Sequence, residues 1–374
     1  MLGFYLLFGI LYALLIRYLG GKWEGNKSPE KKTQLPGMVS VVVPYRNEEE
    51  NLGPFLDKLL QLSYRPLELI LVNDHSNDRS ESIVGDFRYR FLEMEIDFRN
   101  INSEGIGKKA ALSKAIGISR GKFVMTTDAD CWVPIQWVER LIDPFSNDEI
   151  QLSCGPVMSF GGQGFFHRFQ QIEWASILLL TRFGFVQGRP IMCSAANMAF
   201  RKEAFLAVNG YQGNAHVPTG DDEFLLKKIV ARFGAGSVAY STSAELLVMT
   251  RSQKSVLDLI QQRIRWASKW RMHKSLAHIL SATIPALVQL LWISSFALIS
   301  RGLPGGYFLA VIWTLKVFFE KRSFQKVLSG YSIAVSWIDY FLTSLLHPIY
   351  VTAIAWGTLF SNYSWKGRKY SGKP

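Results

Sequence analysis

From Met38 onward, short apolar runs of β type alternate with helical stretches, and this alternation constrains the fold more than any other feature. Val39-Ser40-Val41-Val42-Val43 reads as a first strand, Leu67 to Val72 as a second, Met94 to Phe98 as a third and Gly121 to Met125 as a fourth. Between them, Asn47 caps a helix opening with acids in its first turn, Arg79 to Phe87 reads as a second helix, and Lys108 to Ser119 as a third. Such β-α-β order predicts an α/β domain with a mostly parallel sheet, whose ligands sit beyond the carboxyl ends of the strands. Asp74 and Asp128 fall at those ends. Further on, Gln151 to Met158 and Ile191 to Phe200 read as strands and Phe224 to Arg232 as a helix. Gly164 to Phe183 reads equally as an interfacial or a core helix.

The ends of the chain are of another kind. Residues 1–19 are apolar apart from Arg17, long enough to span a bilayer, and lack a basic leader and a small-residue cleavage pattern, which predicts an anchor. Lys22, Lys27, Lys31 and Lys32 follow in a linker over 20–37, placing the 38–253 domain in the cytoplasm by the positive-inside tendency. Residues 254–278 carry Arg, Lys and Trp at helical spacing and predict an amphipathic interfacial helix. Residues 279–361 hold three apolar segments (Ile279 to Ile299, Tyr307 to Phe319 and Ile333 to Phe360), with a tight turn at Arg301 to Gly306 and a basic tail over 362–374. If the third segment crosses once, the basic tail ends outside, against the charge rule; a hairpin or re-entrant bend at Pro348 removes the conflict. The net charge of +12 is concentrated beside apolar runs, which favours a membrane over nucleic acid as partner. Three cysteines without metal-ligand spacing fit a reduced compartment.

The chemistry-bearing residues are acids. Asp128-Ala129-Asp130 follows the fourth strand, and two hard oxygen ligands turned to one point suit Mg²⁺ or Mn²⁺, which would hold a diphosphate. Taken alone, Asp-x-Asp is a common turn. In chain order come Asp74, Asp128-x-Asp130, Asp221-Asp222, and Gln262-x-x-Arg265-Trp266. This series resembles the spaced D, DxD, (E/D)D, QxxRW pattern of membrane-bound family 2 glycosyltransferases, the group holding cellulose, chitin and hyaluronan synthases and ceramide glucosyltransferase. The resemblance runs from Met38 to His273 and extends to Val41 to Glu48 and to Gly107-Lys108-Lys109-x-x-Leu112.

The resemblance implies a GT-A, Rossmann-like nucleotide-sugar domain with N- and C-terminal transmembrane helices, a divalent metal cofactor, and inverting sugar transfer from a UDP-sugar by default. Its acceptor would be a lipid or a membrane-associated glycan at the inner face of the cytoplasmic membrane. It implies Asp222 as catalytic base, with Asp221 beside it raising its pKa by like-charge repulsion. Asp130 would be the direct metal ligand, with Asp128 on the ribose or a metal-bound water. Pro44, Glu48, Asp74, Lys108, Gln262, Arg265 and Trp266 would line the donor side, Arg265 on the diphosphate and Trp266 stacked under the acceptor. Two departures stand out: Asn73-Asp74 where the family has two acids, and Ala195 in Cys193-Ser194-Ala195-Ala196-Asn197 where it often has glycine. The few tail segments favour transfer to a lipid over processive polysaccharide synthesis; a non-catalytic glycosyltransferase-like subunit would be expected to have lost one of the acids.

Overall fold

The computed structural model describes residues 1–23, 37–215, 217, 219–269, 276–360, 363–366 and 368–370, with the backbone alone over 276–282, 363–365 and 368–370. Most of the expected linker, with Lys27, Lys31 and Lys32, lies outside the described residues, as do His216, Trp270, Arg271 and His273. The chain divides into two units, Glu24–Phe160 with Leu180–Arg251, and Met1–Trp23 with Gly161–Leu179 and Ser252–Pro374.

The first unit is built on ten strands: β1 (Val39–Tyr45), β2 (Leu67–Asn73), β3 (Ile96–Asn102), β4 (Phe123–Thr126), β5 (Cys131–Trp132), β6 (Leu152–Cys154), β7 (Val157–Phe160), β8 (Met198–Arg201), β9 (Val238–Tyr240) and β10 (Val248–Arg251). Seven form one sheet in the order β3-β2-β1-β4-β8-β6-β9. β1 runs parallel to β2 and β4, and β2 parallel to β3. β8 enters antiparallel to both β4 and β6, a strand order that local pattern does not encode. β1 and β2 are buried along their whole length, which explains their near-continuous apolar runs. Ser40 and Glu68 are polar exceptions that face each other in register: the Ser40 hydroxyl donates to Glu68, and Arg99 and Arg120 meet the same carboxylate at 2.9 and 3.2 Å. A buried acid so paired avoids an uncompensated charge.

Several element boundaries differ from the sequence reading. The helix expected at Asn47 starts at Leu52, because the two loops at the carboxyl edge bond to each other instead. Asn47 takes a left-handed φ of 49°, its Oδ1 accepts from Asn77 N at 3.0 Å, and Glu49 N donates to Asp78 at 3.1 Å. The single strand expected over Gln151 to Met158 is split at Gly155-Pro156 between the large sheet and a second one, ordered β5-β10-β7. The run expected as a strand from Ile191 is strand only from Met198.

Among the described residues of the second unit, three helical stretches are long and apolar enough to cross a membrane: Leu2–Gly21, Thr283–Gly330 and Trp337–Phe360. Thr283–Gly330 is not one rod. Trp292 and Trp313, which a straight helix would hold about 31 Å apart, have ring centroids 5.3 Å apart, and Trp313 Nε1 donates to Ser295 Oγ at 3.1 Å. The chain reverses at Gly302, at φ 66°, and Leu303 to Gly306, expected as turn, already belong to the helix Gly302–Gly330. Of the two alternatives left open for the third segment, a single crossing or a bend at Pro348, the helix shows no break at the proline and is continuous over Trp337–Phe360. Proline removes the N–H that Ser344 O would accept, and Lys316 Nζ donates to that carbonyl at 3.0 Å instead. Lys316 also meets Glu320 at 2.7 Å, and Tyr12 and Ser344 donate to the same carboxylate. The helix carrying Gln262, Arg265 and Trp266 spans Val256–Ser268, capped by the Ser255 hydroxyl on Asp258 N at 3.1 Å; Leu276 opens the next helix.

Candidate functional site

The register of β1 on β2 and β4 places three carboxyl ends side by side. Asp74 follows β2 and is buried. Its backbone N–H donates to Tyr45 O at 2.9 Å, its carbonyl accepts from Arg46 Nη1 at 2.8 Å, and its carboxylate accepts from Gly107 N at 3.0 Å. Gly107 holds φ 100°, which suits glycine, and caps the helix Lys108–Ile118. Asp74 thus ties the β2 end to the loop that launches Lys108. Pro44 lies opposite Val72 in the same register, and Glu48 is buried with its Oε2 accepting from Asn51 Nδ2 at 2.7 Å.

Lys108 is the electrostatic centre of the group. Its ammonium lies 2.6 Å from Asp128 Oδ1 and 3.2 Å from Asp221 Oδ2. Burial disfavours its charge, but Asp128, then Asp221 and Asp222, outweigh that and hold it well above the ordinary lysine range. Asp221 is raised by burial first, with Lys108 opposing and Asp222 and Asp128 adding to the rise. Asp221, the more buried member of the acid pair, thus carries a raised carboxyl.

Asp221 and Asp222 form the first turn of the helix Asp221–Phe233, behind Gly220 at φ 80°. Asp222 Oδ1 accepts from Glu223 N at 2.6 Å and Oδ2 from Ala195 N at 3.3 Å. The Ser194 to Asn197 turn that supplies the second bond is itself fixed. Thr126 Oγ1, at the end of β4, donates to Ala195 O at 2.6 Å. Asn197 is fully buried, accepting from Trp137 Nε1 at 2.9 Å and donating to Pro156 O and Leu246 O at 2.8 and 2.7 Å.

Asp128, Asp130 and Cys131 each offer a ligand atom, all within 4.8 Å of one another, in the turn closed by Cys131 N on Asp128 O. Burial, then Asp130 and Asp128, push the Cys131 thiol up, with Sγ 3.5 Å from Asp130 Oδ1. The other two donors are carboxylates, partly exposed, and hard oxygen ligands of this kind fit a divalent ion such as Mg²⁺ or Mn²⁺.

Asp74, Lys108, Asp128, Asp130, Asp221 and Asp222 thus gather in the first unit, with Pro44 and Glu48 at the adjoining end of β1. Gln262, Arg265 and Trp266 stand on the Val256–Ser268 helix of the second unit. Arg201 and Lys202 serve the fold: Arg201 is buried and donates to Ile150 O and Phe145 O at 2.8 Å, and Lys202 Nζ binds Ser119 O. Sequence reading missed Tyr211, whose hydroxyl is buried without a hydrogen-bond partner and whose phenol is pushed up by burial and then by Asp221. It also missed Trp137 as the partner of Asn197. Neither stands in a spaced motif.

Residues 40–208 match the family described as Glycosyl transferase family 2. The probable glycosyltransferase YdaM of Bacillus subtilis is 34% identical over 166 residues, covering 43% of this chain and 35% of that protein. A poly-β-1,6-N-acetyl-D-glucosamine synthase of Staphylococcus aureus is 26% identical over 269 residues, covering 70% and 61%. The chain therefore spans less than two thirds of the length of either relative. Among solved structures, a mannosyltransferase from Pyrobaculum calidifontis in complex with GDP-Man and Mn²⁺ superposes with a TM-score of 0.59 at 16% identity, covering 93% of this chain and 99% of that one. Residues 40–208 thus match the glycosyl transferase family 2 model, and the chain has a GT-A α/β fold with a mostly parallel sheet.

Proposed function

We propose that this chain is an inverting glycosyltransferase that moves a sugar from a nucleoside-diphosphate sugar to a lipid or membrane-associated glycan at the cytoplasmic face of a membrane. One observation carries the reading: a cluster of acids around Lys108 at the carboxyl ends of adjacent parallel strands, with Asp222 at a helix N-terminus beside it. In this reading Asp222 accepts the proton of the acceptor hydroxyl as that oxygen bonds to the anomeric carbon, and the bond to the diphosphate breaks with its electron pair leaving on phosphate oxygen. The two backbone N–H groups on Asp222 orient its carboxylate for that step. A divalent ion held by Asp130, with Asp128, would neutralise charge on the leaving group. The ion pair of Asp128 with Lys108 favours Asp130 as the direct ligand. Asp74 and Glu48 line the donor side in the same reading, and Gln262, Arg265 and Trp266 contribute to diphosphate and acceptor. The three apolar helical stretches support residence in a membrane.

A second reading, extension of a polysaccharide, is favoured by the 269-residue match to the poly-β-1,6-N-acetyl-D-glucosamine synthase. One experiment separates the two. Membranes containing the protein are incubated with radiolabelled UDP- and GDP-sugars and Mn²⁺ or Mg²⁺. A short lipid-phase product that disappears in Asp222→Asn and Asp130→Asn supports the first reading; long polymer supports the second. Sugar transfer unchanged in Asp222→Asn would falsify both and leave a non-catalytic subunit.

A further inference from the structure

Of the two residues between Gln262 and the Arg265-Trp266 pair, Arg263 is charged, and it is buried. Arg263 makes a two-point ion pair with Glu173, Nε to Oε1 at 2.8 Å and Nη2 to Oε2 at 2.7 Å, with both side chains under 8% exposed. Burial opposes the guanidinium charge, and Glu173 more than offsets it. The same guanidinium reaches two side chains of the motif: Nη1 donates to Gln262 Oε1, and its centre lies 4.2 Å from the Trp266 ring. Trp174 closes the stack, 5.4 Å from the guanidinium and edge-on to Trp266 at 5.5 Å. Glu173 is held in turn from the C-terminal apolar helix, where Tyr350 OH donates to its Oε1 at 2.8 Å. Phe169 packs edge-on against Tyr350 at 5.1 Å, and Leu259 joins the same cluster. All of these residues belong to the second unit.

We infer that Glu173, Arg263 and Tyr350 form a positioning cluster that fixes the side chains of Gln262 and Trp266, so that transfer depends on a residue of the Trp337–Phe360 helix. The inference rests on the proposed function for the meaning of the motif, but its geometry does not. An ion pair used only for packing could be replaced. Buried pairs exchanged for apolar residues of similar volume are often neutral or stabilising, whereas breaking one partner is costly. A planar fork that stacks on Trp266 and bonds Gln262 has no apolar or lysine substitute.

The test compares Arg263→Lys, Tyr350→Phe and the double variant Glu173→Leu/Arg263→Met in detergent-solubilised full-length protein. Folded fraction, kcat and donor KM are measured, with hydrogen exchange of the Val256–Ser268 amides. The double variant is expected to keep its melting temperature and lose about 100-fold in kcat, the scale on which misplaced groups cost rate. Tyr350→Phe, which removes one hydrogen bond, is expected to lose about threefold to tenfold. Donor KM should move less than kcat. Wild-type kcat per folded molecule in the double variant, or in Arg263→Lys should the double variant not fold, overturns the inference. If the wild-type protein transfers no sugar at all, the proposed function fails and exchange decides alone: faster exchange around Gln262 to Trp266 in Arg263→Lys upholds the cluster, and unchanged exchange overturns it.

Discussion

Residue-scale chemistry here is dominated by one cation among acids. Lys108 offsets the burial of Asp221, so removing it leaves a buried carboxylate without its nearest compensating charge. The sign follows from linkage. Asp221 has a folded pKa above its unfolded one, so its contribution to stability is fully present below the unfolded value and lost as pH rises through the folded value. Lys108→Met raises the folded value further. The variant should therefore be less stable than wild type by about 1–3 kcal/mol at pH 8, with a smaller deficit at pH 5, because falling pH favours the neutral form of Asp221. Thermal unfolding in EDTA at the two pH values checks this, and the double variant Lys108→Met/Asp221→Asn should lose the pH dependence of the deficit. A deficit equal at both pH values would place the effect elsewhere. The motif residues were legible in the sequence because their order is a pattern along the chain. That burial raises the carboxyl of Asp221, and that Lys108 bridges it to Asp128, was not, since burial and a 113-residue separation leave no local trace.

Among the elements, the junction between β6 and β7 decides how the acid pair is framed. Gly155 leaves no room for a side chain: a Cβ there would sit 2.4 Å from Asn197 Nδ2, which is already committed to two carbonyls. Asn197 cannot turn away without giving up its bonds to Trp137 Nε1, Pro156 O and Leu246 O. Gly155→Ala should therefore destabilise the domain by about 1–3 kcal/mol, the usual range for overpacking, read as a lowered midpoint in denaturant. Because the Ala195 N–H that bonds Asp222 lies in the same turn, transfer should fall in the folded fraction as well. An unchanged midpoint would mean that the sheet yields there. The parallel strands were readable from their apolar runs. The split at Gly155-Pro156 and the antiparallel insertion of β8 were not, because pairing partners are set by tertiary contact rather than by residue period.

For the whole molecule, the apolar stretches at both ends form part of one unit rather than independent anchors. Leu2–Gly21 packs on Gly302–Gly330: Ser323 Oγ donates to Ile16 O at 2.9 Å, and a Cβ on Gly20 would stand 2.5 Å from that hydroxyl. Close approach through small residues is a common way for helices to associate in lipid. Gly20→Leu should lower the melting temperature of the detergent-solubilised protein while leaving it in the membrane pellet after alkaline carbonate washing. Release of the wild-type protein by that wash would argue against membrane residence. The reversal at Gly302 follows the turn expected from sequence within a few residues. The unbroken helix through Pro348 does not, because the carbonyl freed by proline is bonded by Lys316, 28 positions away on another helix.

The sequence by itself determined the class of fold, the segments apolar enough to enter a membrane, and the order of acids and of the Gln-x-x-Arg-Trp motif, because each is written in period, composition or spacing along the chain. Tertiary structure alone decided the burial of Asp221 beside Lys108, which backbone N–H groups hold Asp222, and that Arg263, Glu173 and Tyr350 brace the motif. Those outcomes depend on burial and on hydrogen bonds between residues up to 177 positions apart, and such distances carry no periodic signal.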